Sequence, residues 1–198
     1  MGRPKKRKDE HYYKEAKKQG YRARSAFKLK QMIKKYKLLK DVHTVVELCS
    51  SPGGWTQVLR EFDSSLEIIA VDLNPMPPIH RVTFIQADIT EEETLAQIEK
   101  ITRGSADLVL SDCAPNMSGT YEIDGAIQLG LAETTLNVGH RLLSNEGSVL
   151  AKVFQGPGFE EFMSETKSMF RRVKLVKPDA SRKTSAEIYL LATGPIRV

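Results

Sequence analysis

The chain has 198 residues, of which 40% are apolar and 28% are charged. This is the size of one ordinary globular domain with a sizeable core, so a two-domain enzyme is disfavoured. Residues 1–40 carry 16 of the 30 Lys and Arg residues but only 3 of the 25 Asp and Glu residues, giving a net +13 there and −8 beyond. Because clustered cations bind phosphate by displacing its counterions, this asymmetry favours a nucleic acid as partner.

The composition disfavours secreted, membrane and zinc proteins. The two cysteines, Cys49 and Cys113, are far apart and lack the paired spacing of a zinc site or a disulfide framework. No apolar run approaches the roughly 20 residues of a membrane span, and the Lys-rich N-terminus lacks the apolar segment of a signal peptide. We therefore expect a reduced, cytoplasmic protein with no membrane partner and no metal site.

Two segments are predicted along the chain. Residues 1–20 have too few apolar side chains to pack by themselves and are predicted to form a basic mobile arm. Residues 21–198 are predicted to form a single domain, which opens with an amphipathic helix over 21–39. The apolar stripe of this helix consists of Ala26, Leu29, Met32, Ile33, Tyr36 and Leu39. Lys28 lies off that stripe.

The rest of the chain alternates between strand and helix patterns. Short β-branched and aliphatic runs predict seven strands, over 43–49, 66–73, 81–88, 106–112, 147–154, 172–178 and 186–193. Helices are predicted over 53–62, 91–103, 125–143 and 158–170. This alternation is typical of an α/β fold with a mostly parallel sheet and helices on both faces. The connection between the last two strands is too short for a helical crossover, so the final pair is predicted to be antiparallel.

A glycine turn follows the first predicted strand, in ELCSSPGGW (47–55). Glycines let a ligand approach the backbone closely, and the helix that follows offers unpaired N–H groups to an anionic group. A plain strand-to-helix turn with no ligand is the alternative interpretation. The segment is not GxGxxG, which makes a nicotinamide or flavin dinucleotide a weaker fit.

Three successive strands are predicted to end in a carboxylate, at Asp72, Asp88 and Asp112. In open α/β sheets ligands bind beyond the carboxyl ends of the strands, and an acidic residue after the second strand meets ribose hydroxyls in nucleotide-binding units. Asp is also common in ordinary turns. Three together, beside the glycine turn, favour an adenosine-like ligand.

Five motifs carry a resemblance to a known family: RSAFKL (24–29), SSPGGWTQVL (50–59), SDCAPNMSGT (111–120), AKVFQG (151–156) and KPDASRKTSAEIYLLATG (177–194). In this order they resemble the FtsJ/RrmJ family of RNA ribose 2′-O-methyltransferases, particularly its ribosomal-RNA uridine branch. The resemblance implies a Rossmann-like, seven-stranded class I fold that uses S-adenosylmethionine. The chain departs from the usual DLGAAPGGW of the family at Glu47, Cys49, Ser50 and Ser51.

The resemblance also implies roles for particular residues. Its catalytic tetrad falls on Lys28, Asp112, Lys152 and Glu187. Its donor-binding residues fall on Gly53, Trp55, Asp72, Asp88 and Asp112. Without the resemblance, Lys28 would be interpreted as a solvated helix residue and Glu187 as an exposed strand residue. For Lys152, a structural ion pair and a catalytic role would be equally good interpretations.

A ribose 2′-hydroxyl needs in-line positioning and removal of one proton to attack a sulfonium methyl group. Our hypothesis is that Lys152 accepts this proton, that Asp112 and Glu187 orient the lysines, and that Lys28 holds the hydroxyl or a neighbouring phosphate. Asp112 as the base is the main competing mechanism.

The expected substrate is a uridine of large-subunit ribosomal RNA, with the tRNA anticodon loop as second choice, and we expect a monomer. Two rival functions remain open. A non-catalytic RNA-binding or ribosome-assembly factor is disfavoured by the intact tetrad, and a nucleotide-dependent oxidoreductase by the missing GxGxxG.

Overall fold

The elements of the fold follow one another in an order that alternates strand and helix. The structure is a computed structural model that describes residues 5–116, 118–182 and 184–197. Its helices and strands are α1 (Lys5–Lys18), α2 (Ala26–Tyr36), β1 (Thr44–Leu48), α3 (Gly54–Phe62), β2 (Glu67–Asp72), β3 (Val82–Gln86), α4 (Glu92–Thr102), β4 (Ala106–Ser111), α5 (Tyr121–Leu142), β5 (Leu143–Phe154), α6 (Phe159–Met169), β6 (Phe170–Val176) and β7 (Glu187–Pro195).

The strands form one seven-stranded sheet in the order β3-β2-β1-β4-β5-β7-β6. Pairs among β1 to β5 are parallel, whereas β7 is antiparallel to both β5 and β6. A short connection leads from β6 to β7, so the chain reverses without a crossover helix, as the sequence predicts. The predicted α/β class, the seven strands and the antiparallel final strand are confirmed.

Alternation along the strands creates two apolar layers. The side chains of Val45, Leu108, Leu110, Leu150 and Tyr189 form a cluster with apolar residues of α2 and α3 on one face. Val46, Val109 and Val149 point to the opposite face, where they form a second cluster with residues of α4, α5 and α6. Helices therefore cover both faces, and the polar side chains of the site lie at the strand ends.

The predicted first helix, 21–39, is shorter in the structure and begins at Ala26. Its buried residues are Ala26, Leu29, Met32 and Ile33, as its apolar stripe predicts. The preceding backbone is held to α3 instead, because the N–H of Arg22 donates to Oε1 of Gln57 at 2.8 Å.

The predicted basic arm, 1–20, contains helix α1, and residues 1–4 lie outside the described residues. Helix α1 contacts the domain through the ring of Tyr12, which lies 5.3 Å from the ring of Phe27, and through the buried Ala16. The mobility of this segment stays a prediction, as does the boundary between 1–20 and 21–198.

The expectation of two separate reduced cysteines is wrong in the structure. Cys49 and Cys113 form a disulfide bond, with their Cα atoms 5.1 Å apart. Spacing rules fail here because the two residues are 64 positions apart in sequence but follow adjacent strands, β1 and β4. In the part of the chain that the structure describes, no helix is long and apolar enough to span a bilayer.

Candidate active site

The candidate site lies where the carboxyl ends of β1, β2, β4 and β5 meet at one edge of the sheet. Strand β1 is flanked by β2 on one side and by β4 on the other. The connection after β1 runs to β2 on one side, whereas the connection after β4 runs to β5 on the other, so the ends of β1 and β4 form the topological switch where ligands bind in open α/β sheets. The loops after these strands carry most of the site residues predicted from the sequence.

Gly53 gives the loop after β1 a shape that no other residue type accepts easily. Its φ is +101°, in the left-handed region. A Cβ atom added there would lie 2.9 Å from Nη1 of Arg22 and 2.9 Å from Sδ of Met76. The turn therefore needs glycine, and its backbone leads directly into the N-terminus of α3, where the first N–H groups lack helical partners.

Asp72, at the end of β2, fixes this turn from the neighbouring strand. Its Oδ2 accepts a hydrogen bond of 2.9 Å from the N–H of Ser51, and its Oδ1 accepts one of 2.7 Å from the N–H of Asn74. The residue is only 7% exposed. The carboxylate thus links the loops after β1 and β2, which places it where the sequence predicts a ribose contact.

Glu47 is an acid buried directly beneath the same turn. It is 2% exposed, and one of its oxygens accepts a hydrogen bond of 2.6 Å from the hydroxyl of Thr56 in α3. The pKa of the Glu47 carboxyl is raised to about 8, mainly by burial; the hydrogen bond from Thr56 opposes this rise, and the negative charges of Asp112 and Asp72 add to it. The carboxyl group is therefore largely protonated at neutral pH.

Asp112 and Lys152 form an ion pair at the ends of β4 and β5. Nζ of Lys152 lies 3.2 Å from Oδ1 of Asp112 and donates a hydrogen bond of 2.7 Å to the backbone carbonyl of the same residue. Lys152 is 6% exposed. A buried cation needs such partners because the unpaired charge would be costly.

Lys28 and Glu187 form a second ion pair beside the first. Nζ of Lys28 lies 2.7 Å from each carboxylate oxygen of Glu187. The hydroxyl of Ser181 donates to Oε1 of Glu187 at 2.8 Å and holds the carboxylate from its other side. The helix-borne lysine is thereby tied to the start of β7.

Tyr189 connects the two pairs, and the sequence reasoning missed it. Its hydroxyl donates a hydrogen bond of 2.6 Å to Oδ1 of Asp112, and Nζ of Lys28 lies 5.7 Å from the centre of its ring. Burial, together with the negative charges of Asp112 and Glu187, raises the pKa of the Tyr189 phenol, which stays neutral and donates.

The pairing of the strands explains why these side chains converge. Lys152 lies directly opposite Tyr189 in the antiparallel pair of β5 and β7. Since alternate residues of a strand share a face, Lys152 follows Leu150, and Asp112 follows Leu110, on the face covered by α2 and α3. On that face, apolar side chains cover the middle of the sheet, and charged groups follow them at its carboxyl edge. Glu187 and Tyr189 are two residues apart, and this alternation is the signal that could have identified Tyr189.

Of two further predicted site residues, Trp55 packs against this cluster, whereas Asp88 lies after the edge strand β3. Trp55 is 3% exposed; its ring lies 5.8 Å from the ring of Tyr189, and its Nε1 donates to the carbonyl of Ser25 at 2.9 Å. It thus packs the glycine turn against Tyr189 and the start of α2. Asp88, after β3, accepts hydrogen bonds of 2.8 Å from the backbone N–H and the hydroxyl of Thr90. Asp88 lies at the same edge of the sheet. Among the described residues, it makes no hydrogen bond or ion pair with a member of the tetrad.

Helix α5 supports the site through two buried polar residues that the sequence reasoning also missed. Gln128 donates from Nε2 to the carbonyl of Lys152 at 2.9 Å. Asp124 accepts hydrogen bonds from the backbone N–H groups of Ser118 (2.7 Å) and Gly119 (3.3 Å), and the first of these bonds is the main cause of its lowered pKa. These residues fix the end of β5 and the loop that follows Asp112.

Comparisons with known proteins find a matching family and a related sequence. Residues 21–195 match the family described as FtsJ-like methyltransferase. The chain is 45% identical over 192 residues to "Ribosomal RNA large subunit methyltransferase E" of Methanothrix thermoacetophila, covering 95% of this chain and 75% of that protein.

Solved structures give the same result for the fold. A Plasmodium falciparum protein assigned as a ribosomal RNA methyltransferase superposes with a TM-score of 0.80 at 26% identity, over 90% of this chain and 100% of that chain. Human methyltransferase-like protein 13, solved in complex with SAH, superposes with a TM-score of 0.61 at 14% identity, over 84% of this chain and 81% of that chain. The Rossmann-like methyltransferase fold expected from the sequence is confirmed.

Proposed function

Since this chain belongs to the FtsJ-like methyltransferase family, and is an S-adenosylmethionine-dependent methyltransferase, we propose that it methylates a ribose 2′-hydroxyl of large-subunit ribosomal RNA. The observation that carries the proposal is the ion pair of the buried Lys152 with the half-buried Asp112, which lies at the strand ends beside the glycine turn. The target base is a uridine, and the substrate class follows the related ribosomal RNA methyltransferase.

The residues at the ends of β1 and β2 fit an adenosine-containing cationic donor. The left-handed turn at Gly53 leads into the N-terminus of α3, whose first N–H groups lack helical partners, and the carboxylate of Asp72 supplies hydrogen-bond acceptors and negative charge. Asp72 would hold the ribose hydroxyls, Asp88 the adenine and Asp112 the methionine end, with Trp55 behind the turn. S-adenosylmethionine supplies an electrophilic methyl group carried on a sulfonium.

The tetrad provides positioning and proton removal. Oδ1 of Asp112 already accepts from Tyr189 and faces Lys152, so this carboxylate acts mainly to orient its neighbours. Lys152, once deprotonated, accepts the proton of the 2′-hydroxyl at Nζ, and Glu187 holds Lys28 toward the hydroxyl or an adjacent phosphate. Asp112 as the base is the competing assignment.

Binding of RNA is assigned to the Lys-rich N-terminal segment and α2. Residues 1–40 hold 16 basic side chains, and lysine contacts read phosphate rather than sequence. Specificity for the nucleotide must therefore come from elsewhere, such as the folded context of the RNA. The proposed setting is the cytoplasm and the proposed active form is a monomer.

Methyl transfer from tritiated donor to large-subunit RNA that lacks 2′-O-methylation tests the proposal. Wild-type protein should label the RNA, and Lys152→Ala should lower kcat by about 1,000-fold with donor affinity changed less than about twofold, because general-base catalysis contributes about 10²–10⁴. Lys167→Ala, at an exposed position in α6, is the matched control and should be unaffected.

Three outcomes would contradict the proposal. Near-normal methylation by Lys152→Ala would remove its assigned role. Labelling of tRNA in preference to ribosomal RNA would move the substrate to the second choice. The position of the methyl group is also mapped in digested RNA from cells with and without the protein. A protein-dependent methyl group on a base atom would exclude ribose methylation.

A further inference from the structure

The disulfide bond between Cys49 and Cys113 joins the two loops that build opposite sides of the site. Cys49 is the first residue after β1, and Cys113 is the second residue after β4. These strands are neighbours, with Leu48 opposite Ser111 in their register. The bond therefore lies at the carboxyl edge of the sheet, where the glycine turn and Asp112 also lie.

Each cysteine is directly continuous with a group that the site uses. Cys49 precedes Ser50 and Ser51, whose backbone N–H groups donate to the carbonyl of Val71 (3.1 Å) and to the carboxylate of Asp72 (2.9 Å) across on β2. Cys113 follows Asp112, which pairs with Lys152. A displacement of either loop at its cysteine would move the groups held to β2 relative to Asp112 and Lys152.

The backbone at Cys49 supports a specific need for this residue. Its φ is +55°, in the left-handed region, where a residue other than glycine costs free energy. Glycine would adopt this conformation at no steric cost but cannot form the bond. Cys113 is 1% exposed, so its sulfur is held on the inner side of the loop and faces its partner.

We propose that the Cys49–Cys113 bond is a positioning element of the donor site, which clamps the loop after β1 to the loop after β4 and makes donor affinity depend on the redox state of the pair. The inference rests on the proposed function, because it takes these loops as the donor site. The two cysteines are positioning residues that act through Asp112 and the glycine turn.

The chemistry of the switch is thiol–disulfide exchange. Oxidation forms one S–S bond and releases two protons and two electrons, which a low-molecular-weight disulfide accepts as it is split into two thiols. Reduction reverses this: a dithiol reductant breaks the bond, leaves Cys49 and Cys113 as thiols, and becomes a cyclic disulfide itself. No other co-reactant is required.

Titration calorimetry with S-adenosylhomocysteine tests the proposal on the full chain. Wild-type protein is first equilibrated with oxidised glutathione, and the Cys49–Cys113 link is verified by non-reducing peptide mass mapping. Reduction with dithiothreitol should raise the Kd of S-adenosylhomocysteine about tenfold while the Kd of RNA stays within about twofold. A general loss of structure would weaken both, so circular dichroism below the melting temperature accompanies each titration.

Two variants separate the bond from the residues. Cys49→Ser/Cys113→Ser should bind as weakly as reduced wild type in either buffer and should not respond to dithiothreitol. Cys49→Gly removes the backbone cost without restoring the bond and should also bind weakly.

Several results would overturn the inference: no link after treatment with oxidised glutathione, a Kd that reduction changes less than twofold, a double variant that still responds to dithiothreitol, or a Cys49→Gly variant that binds like the oxidised protein. Donor binding is measured without RNA. An absence of ribose methylation would therefore contradict the proposed function without affecting the test of donor binding.

Discussion

Replacing Glu47 by Gln should remove a pH dependence of stability that the burial of this acid creates. The pKa of Glu47 is raised to about 8 from an ordinary 4.5. At a pH between these two values, the folded protein keeps a proton that the unfolded chain has lost. The stabilisation that comes from the neutral carboxyl is therefore complete below pH 4.5 and is lost as the pH rises toward 8.

The size of the effect follows from the shift. Roughly three to four pH units at about 1.36 kcal/mol each give an upper limit of about 5 kcal/mol for the stability lost by wild type across this range. A glutamine in place of Glu47 would keep an acceptor for the Thr56 hydroxyl but cannot titrate, so the difference between wild type and Glu47→Gln isolates one group.

Urea unfolding of both proteins at roughly pH 5 to 9, under constant redox conditions, measures the difference. The free energy of unfolding of wild type should fall relative to that of Glu47→Gln as the pH rises, with most of the change complete by about pH 8. Glu67→Gln, at an exposed position in β2, is the control and should run parallel to wild type. Parallel curves for wild type and Glu47→Gln would refute the assignment of a buried neutral acid.

Three other changes have expected outcomes. Tyr189→Phe removes the hydrogen bond to Asp112. We expect the rate constant of methyl transfer in single-turnover assays to fall about tenfold, with the donor Kd unchanged. An unaltered rate constant would mean that Asp112 is held without the phenol. Deletion of residues 1–20 should weaken RNA binding and flatten the dependence of log Kd on log salt by about 0.7 for each phosphate that the shortened protein no longer neutralises, so an unchanged slope in fluorescence titrations would exclude the segment from binding. Asp124→Asn should lower kcat several-fold by loosening the loop after Asp112, and full activity would show that the loop needs no such anchor.

Local patterns were sufficient to predict the seven strands, the α/β class and the antiparallel final pair. The seven strands are short β-branched runs whose side chains alternate between two apolar layers, and the structure places every one of them close to its predicted range. The ends shifted where tertiary contacts decide. Helix α2, for example, begins at Ala26 because the residues before it bond to α3 instead of to their own helix.

The candidate site was predictable in part. Asp72 and Asp112 could be located from strand ends alone, because parallel strands bring their carboxyl ends to one edge. Lys28 and Glu187 could not, since nothing local distinguishes an exposed lysine or glutamate from one that pairs across 159 positions of sequence. Their placement came from the motif resemblance, and the contact between their side chains agrees with it.

Tyr189 and the cysteine pair needed a step that spacing rules do not contain. Once a doubly wound order is assumed, β1 and β4 are neighbours, and the residues that follow them must meet at the rim. Cys49 and Cys113 each come just after one of these strands, so strand order combined with strand ends predicts their contact. Tyr189 lies two residues after Glu187 and opposite Lys152 of β5, so the alternation of β7 places it on the same face of the sheet as these two residues. Sequence separation was therefore the wrong measure of distance between the cysteines, because the order of strands in the sheet decides which strand ends meet.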